Sequence, residues 1–569
     1  MLPCKILQFC GLLLYDREMN DIKAMRQLQP KFMRDKSFDI ALLRGIMLSY
    51  RAPSAMNKIR LLPPAIMISI IKALTQAAAR FPRKPAILFG HSALPYGELL
   101  RLCNALAGFL LRSGLRKGDT VAILLRKTPE ALVSFLGAAT AGGVPFSVDY
   151  NQTPARIRSV LDITRPSVLI VDRAFLDLLP PSARSGGEGR TIMIGPRRAG
   201  CHPWEDIIRP GQPLVRDVRI RADDVFYLNF TSGSTGAPKA AVATYGNIYW
   251  NTRSAIETLG LCHADVHLCL FPIFGHPHEI FARSVYLGGT IVLVDSISPR
   301  TVTSAITEHK VTCMMATASI YASLLRFCEG HAVNLGSLRL VENGGMRASQ
   351  SLLREFRERV GIPVLTVWGS TETTGIALAS DKTTESNGFG KTCRYYEVRL
   401  VAENGQECNV GEIGELAIRG PAVCQAYYRN PEQTIQHMRA GWFFSGDLAR
   451  CDAEGYFYFV GRRDGMLKVK GMKVFPAEIE EVLEGHPAIA AAAVVSAHDH
   501  LCGEVPRAVL VLKPGKTLAE TDVRRYCAER LPSYKVPRIV EFVPELPQNQ
   551  AGKIAYRQLV AGKDTCQPE

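Results

Sequence analysis

Tyr227-Leu-Asn-Phe-Thr231-Ser232-Gly233-Ser234-Thr235-Gly236-Ala-Pro-Lys239 is the stretch on which the reading of the chain turns. An apolar strand runs into a cluster of hydroxyls and glycines that closes on a lysine. Such a loop offers backbone N–H groups, hydroxyls and one ammonium to a polyphosphate. A Walker loop would end Gly-Lys-Ser/Thr, whereas Pro238-Lys239-Ala240 stands here, which excludes the ordinary P-loop. Ser/Thr/Gly runs are commonly surface linkers, but the apolar strand before this one and the Pro-Lys after it favour a phosphate-holding turn.

The same texture of short apolar runs between amphipathic stretches continues on both sides. Helical stripes at Ile70–Ala77, Tyr96–Leu111 and Glu130–Ala141 alternate with buried runs such as Thr120–Leu125, Val144–Val148, Ser167–Val171, Thr191–Ile194, Thr290–Val294, Cys313–Ala316, Leu338–Glu342 and Val364–Trp368. Strands alternating with helices predict a parallel, helix-covered sheet. After Lys391 the pattern changes to antiparallel strands separated by Gly/Asn turns. From about Arg462 short strands mix with helices over Ala477–Leu483 and Ala519–Arg530. The expected fold class is α/β: a large N-terminal domain of helix-covered sheets with a small barrel-like β region, then a small mobile α+β C-terminal domain. The expected divisions are a basic extension over 1–60, a large domain over 61–461 and a small domain over 462–569.

Length and composition bound the function. The 569 residues, 47% hydrophobic and 21% charged, are enough for one large domain and a smaller one and exclude wholesale disorder. The formal net charge is +15, and residues 1–60 hold eleven Lys/Arg against five Asp/Glu. Basic excess admits nucleic acid, a membrane surface or small anions. No block of Lys/Arg interleaved with aromatics occurs, so no nucleic-acid partner is expected. Fifteen cysteines are scattered without Cys-x-x-Cys or zinc spacing, which reads as reduced, mostly buried thiols in a cytoplasmic protein. The apolar start lacks a cleavage site, and Leu61–Ile71 is broken by Pro63-Pro64, so no transmembrane segment is expected.

Six further motifs stand in a fixed order. They are Trp368-Gly-Ser-Thr371-Glu372, Gly414-Glu-Leu-Ala-Ile-Arg-Gly420, Tyr428-Arg-Asn-Pro-Glu-Gln-Thr434, Gly441-Trp-Phe-Phe-Ser-Gly-Asp447, Gly461-Arg462-Arg-Asp464-Gly-Met-Leu-Lys-Val-Lys470-Gly471 and Asn549-Gln-Ala-Gly552-Lys553. With the opening loop, they make residues 70–560 resemble the adenylate-forming superfamily of acyl- and aryl-CoA synthetases, peptide-synthetase adenylation domains and firefly luciferase. One such motif is unspecific; six in register are not.

The resemblance implies ATP-dependent activation of a carboxylate to an acyl-AMP, then transfer to the thiol of coenzyme A or of carrier-protein phosphopantetheine. It implies that Thr231 to Lys239 hold the pyrophosphate, Thr371 the α-phosphate and Glu372 a Mg²⁺ ion, the last being reasonable for a carboxylate beside phosphate oxygens. Asp447 would accept the ribose hydroxyls and Arg462 would reach ribose or phosphate. Trp368 stands where the family has a tyrosine stacked on adenine; stacking should survive while any hydroxyl contact is lost. Lys553 would bridge the substrate carboxylate and the α-phosphate, with a hinge at Asp464 and a thioester loop at Lys470-Gly471. His276, Gly344 and Gly345 would line the acyl pocket.

Departures bear on the substrate. Amino-acid-activating relatives often carry an aspartate near here, yet none occurs from Phe271 to Arg283, and Glu279 is the one carboxylate that could substitute. This points to a carboxylic acid without an α-amine. Asp149-Tyr-Asn-Gln-Thr-Pro154-Ala-Arg156 nevertheless resembles a stretch of peptide-synthetase adenylation domains, which leaves open an amino-acid-activating enzyme that loads a peptidyl carrier protein. A luciferase-like oxidase is the more distant alternative. Met346-Arg347 replaces the family's usual small residue and proline.

Overall fold

The computed structural model describes residues 67–181, 191–210, 218–231, 238–345, 347–381, 388–469, 472–499, 503–548 and 554–561. By contacts the chain divides into Met1–Met67 and Ile68–Glu569, and the extension over 1–60 lies outside the described residues.

Local sequence rules account for the element ends. The helix Ile70–Arg80 starts at Ser69, whose hydroxyl accepts from the Lys72 N–H. Pro129, Pro154, Pro277, Pro299 and Pro476 each open a helix at its first turn, where a missing N–H costs nothing. Thr244 and Asn247 form a reciprocal capping box at the start of Tyr245–Leu259.

The alternating half of the chain forms two parallel sheets where the periodicity predicts one type of layer. The larger, nine-stranded sheet carries Val266–Cys269, Thr290–Leu293, Cys313–Ala316, Leu340–Asn343 and Val364–Ser370 in its parallel centre. The other has Thr120–Leu124 between Val144–Ser147 and Val168–Asp172. Periodicity could not divide them, because strands of either sheet are equally apolar when helices cover both faces. Leu268, Val292, Val302, Ile306, Met314, Val341 and Phe356 form the core of the first, and Ala122, Phe146, Val171 and Leu228 that of the second.

Glu397–Val401, Ile413–Arg419, Met438–Arg439, Trp442–Cys451 and Phe457–Arg462 form a five-stranded antiparallel sheet, as the Gly/Asn turns predict. The C-terminal part pairs Ile489–Asp499 with Gly503–Leu512 and packs the helices Pro476–Glu484 and Glu520–Ala528 on Val494, Ala508 and Leu510.

One carboxyl of this part titrates near neutrality. Burial pushes Glu484 from its ordinary 4.5 up to about 7, with Arg347 opposing and Glu480 and Glu481 adding to the rise. A carboxyl raised on folding contributes stability that is complete below its unfolded value and lost as pH climbs through the folded one. The unfolding midpoint of the wild type should therefore fall between pH 5 and 8 more than that of Glu484→Gln, whose side chain cannot ionise. Parallel slopes for the two proteins would contradict this assignment.

Candidate functional site

In open parallel sheets the carboxyl ends of the strands collect the functional loops. That end of the nine-stranded sheet carries Phe271 to His276 after one strand, Gly344 and Gly345 after a second, and Thr371 and Glu372 after a third. Residues remote in sequence are thus delivered to one edge.

The opening loop is seated on a hairpin. Thr231 ends Val225–Thr231 directly opposite Lys239, which starts the antiparallel partner Lys239–Thr244. Ser232, Gly233, Ser234, Thr235 and Gly236 lie outside the described residues, as do Lys470, Gly471 and Lys553. The backbone at Asp464 is described and forms a 3-10 turn over Arg463–Gly465.

Tyr427 joins two of the expected site residues. Its hydroxyl donates to Glu372 Oε1 at 2.5 Å, and the Lys239 ammonium stands 4.9 Å from its ring centroid. Burial and the neighbouring Glu372 push the Tyr427 phenol far up, so it remains a donor at neutral pH. Tyr427 was missed in the sequence, although it directly precedes the Tyr428–Thr434 motif. Its partners are 55 and 188 residues away in the chain, and no local pattern reports such a pairing.

Thr371 and Glu372 occupy a tight turn before the strand Gly375–Ala379. Thr373 accepts the Ser370 N–H at 2.8 Å and donates to the Gly375 carbonyl at 2.7 Å. Thr374 has φ +56° and Gly375 φ +117°. A Cβ at Gly375 would lie 2.2 Å from Glu279 Oε1 and 2.8 Å from Asn251 Oδ1, so only glycine fits between the turn and the polar layer beneath it.

That layer is a buried network. Arg283 lies 2.8 Å from Glu279 and 2.8 Å from Glu342. The two carboxyls respond oppositely. Burial pushes both up, but the Arg283 guanidinium holds Glu279 below the ordinary value, whereas Glu342 stays raised despite Arg283. One guanidinium neutralises one carboxylate, and the second holds its proton more tightly. His278 contacts the Tyr227 hydroxyl at 2.8 Å, and burial lowers its pKa, keeping the ring neutral. Asn251 donates to the Tyr396 hydroxyl, which donates to the Thr373 carbonyl at 2.7 Å. The layer thus reaches the backbone of the Thr371–Thr374 turn.

Asp447 sits at the other side of the site. It pairs in register with Arg462, whose Nη1 donates to Oδ1 at 2.9 Å. The Trp368 indole N–H donates to Oδ2, also at 2.9 Å. Where the resemblance implied a lost polar contact at position 368, the larger ring supplies a different one, from its edge.

Gly344 faces apolar groups: a Cβ there would meet Val367 Cγ2 at 3.2 Å and the Phe271 ring at 3.4 Å. His276 stands at the N-cap position of the helix Pro277–Leu287, and its ring lies 6.2 Å from that of Phe271, centroid to centroid. Lys127, unremarked in the sequence, donates to the Cys269 carbonyl at 3.0 Å and the Phe271 carbonyl at 3.4 Å, tying the two parallel sheets together beside Phe271.

Among the described residues Asp265, His267 and Cys313 bring three metal-type ligand atoms within 4.8 Å of one another. They lie at the amino ends of their strands, away from the site. Asp265 already accepts from Arg339 Nε, Thr312 Oγ1 and the Cys262 N–H, and the guanidinium there opposes a cation. Among the described residues no helix is long and apolar enough to cross a membrane.

Residues 74–428 match the AMP-binding enzyme family and residues 478–553 match the AMP-binding enzyme C-terminal domain. The chain is similar to a feruloyl-CoA synthase of Amycolatopsis sp, with 31% identity covering 83% of this chain and 94% of the relative. It is 30% identical to an indoleacetate–CoA ligase of Aromatoleum aromaticum, covering 85% and 96%. Among solved structures it is similar to the anthranilate CoA ligase AuaEII in complex with anthranoyl-AMP, with a TM-score of 0.80, 27% identity and coverage of 86% and 96%. The chain belongs to the AMP-binding enzyme family of the adenylate-forming superfamily and is an AMP-forming acid–thiol ligase.

Proposed function

We propose that the chain converts an aryl or arylalkyl carboxylic acid to its acyl-AMP with ATP and passes the acyl group to coenzyme A. What supports the substrate class is the apolar packing at Gly344, where a Cβ would meet Val367 Cγ2 at 3.2 Å and the Phe271 ring at 3.4 Å. The names of the feruloyl, indoleacetate and anthranilate relatives support the same class. Glu279, the carboxylate within Phe271–Arg283, is committed to Arg283 in the buried layer, which argues against an amino acid substrate. The CoA-ligase names of these relatives favour coenzyme A over a carrier protein as acceptor.

Bringing a carboxylate onto a triphosphate sets anion against anion, so the site must neutralise charge and exclude water. In this reading Thr231 and Lys239, at the feet of the loop, hold the departing pyrophosphate. Thr371 meets the α-phosphate, Trp368 packs on adenine, and Asp447 with Arg462 takes the ribose. Lys553 neutralises charge on the attacking carboxylate. The small domain, 462–569, turns about Asp464 to bring Lys470-Gly471 up for thioester formation. Glu372 fits a Mg²⁺ ion: it is 7% exposed, supplies hard oxygen atoms, and is aimed by Tyr427. Bound there, the ion would offset phosphate charge.

A panel of carboxylic acids with ATP, trapped with hydroxylamine and then repeated with coenzyme A, tests the reading. Aryl and arylalkyl acids should give hydroxamate and thioester, and α-amino acids neither. Gly344→Val, whose side chain must push aside Val367 and Phe271, should lower kcat/KM for the aryl acids by roughly tenfold or more, the scale of a small steric change at an apolar contact, with KM for ATP unchanged. Turnover of amino acids in preference to aryl acids would overturn the substrate class.

A further inference from the structure

We infer that Trp368 is a positioning residue for the nucleotide, acting through Asp447 by its indole N–H as well as through its ring face. This rests on the reading of Asp447 as the ribose-binding carboxylate. Trp368 is 7% exposed and Asp447 8%, so their 2.9 Å contact is a charge-assisted hydrogen bond shielded from water. The carboxylate is fixed from two directions. Arg462 holds Oδ1 across the strand pair, and Trp368 holds Oδ2 from the neighbouring sheet. Two donors on different oxygens set the plane of the carboxylate as well as its distance.

The rest of the surroundings serve the same geometry. The Asp447 N–H donates to Ser445 Oγ at 3.0 Å, and Ser445 Oγ donates to the Leu416 carbonyl at 2.9 Å. Phe389 braces the indole, centroid to centroid 5.8 Å, and is itself backed by Phe459 at 5.3 Å. Trp368 lies on the strand that leads into Thr371 and Glu372, so one rigid element places both the ring and the phosphate-side turn. A carboxylate held in a set plane can meet two adjacent hydroxyls together; one free to rotate meets them singly. The ligand chemistry selected is therefore a vicinal diol, and the indole N–H sharpens that selection.

The test compares AMP with 2′-deoxy-AMP by titration calorimetry on the full chain. Any loss of ring stacking weakens both nucleotides alike, so their ratio isolates the diol. The wild type should prefer AMP by about tenfold, the worth of one good hydrogen bond. Asp447→Asn and Trp368→Phe should each bring the ratio to within about twofold of unity. Replacing the Trp368 indole by benzothiophene, which keeps the bicyclic ring and lacks the donor, should do the same and covers the case in which Trp368→Phe does not fold. If Asp447→Asn collapses the ratio while both changes at 368 preserve it, the role given to Trp368 is overturned and the ribose reading stands. A ratio unchanged in Asp447→Asn, or absent from the wild type, overturns the ribose reading and this inference with it.

Discussion

Glu372→Gln should lower the rate of ATP–pyrophosphate exchange by roughly 10²–10³, the scale seen when one preorganised electrostatic group is removed from a transition state. The substitution conserves volume and leaves an oxygen to accept from Tyr427, whose hydroxyl now bonds Oε1 at 2.5 Å, so the fold should be retained. What is lost is the charge that a hard divalent cation needs. The defect should accordingly respond to Mg²⁺, the exchange rate recovering in part as the cation is raised well above the wild-type requirement. Tyr427→Phe should show the same dependence to a smaller degree, because it frees the carboxylate without discharging it. Wild-type exchange by Glu372→Gln at limiting Mg²⁺ would remove Glu372 from the metal role.

Gly375→Ala should destabilise the protein by about 3 kcal/mol or more, the range for burying a clash against a charged network. The added methyl would stand 2.2 Å from Glu279 Oε1, and the backbone at φ +117° disfavours any side chain. Relief requires Glu279 to move, which strains its pairing with Arg283 and leaves charge buried without its partner. The measurement is the thermal unfolding midpoint, together with soluble yield. A midpoint within about 2 °C of the wild type, against the several degrees expected for such a loss, would mean that the layer under the turn is looser than its geometry implies.

Much of the fold was legible in the residues. The strands Thr191–Ile194 and Cys313–Ala316 occupy the predicted positions, because apolar runs bounded by turn residues are a local signal. Other ends shifted by a few residues. The strand expected over Leu338–Glu342 runs Leu340–Asn343, and the one expected over Thr290–Val294 ends at Leu293.

By itself the sequence determined the family, the order of the motifs and the chemical type of each expected site residue, since loop composition and spacing are written along the chain. Only the tertiary structure decided which of these residues act on one another. Trp368 meets Asp447 across 79 positions and Tyr427 meets Glu372 across 55. Arg283 is shared between Glu279 and Glu342, which turned Glu279 from a candidate substrate ligand into part of the support beneath the Thr371–Thr374 turn. Side-chain pairing of this kind depends on which strands become neighbours and on how each carboxylate recovers on burial the hydrogen bonds it loses from water. Neither leaves a periodic trace in the local sequence.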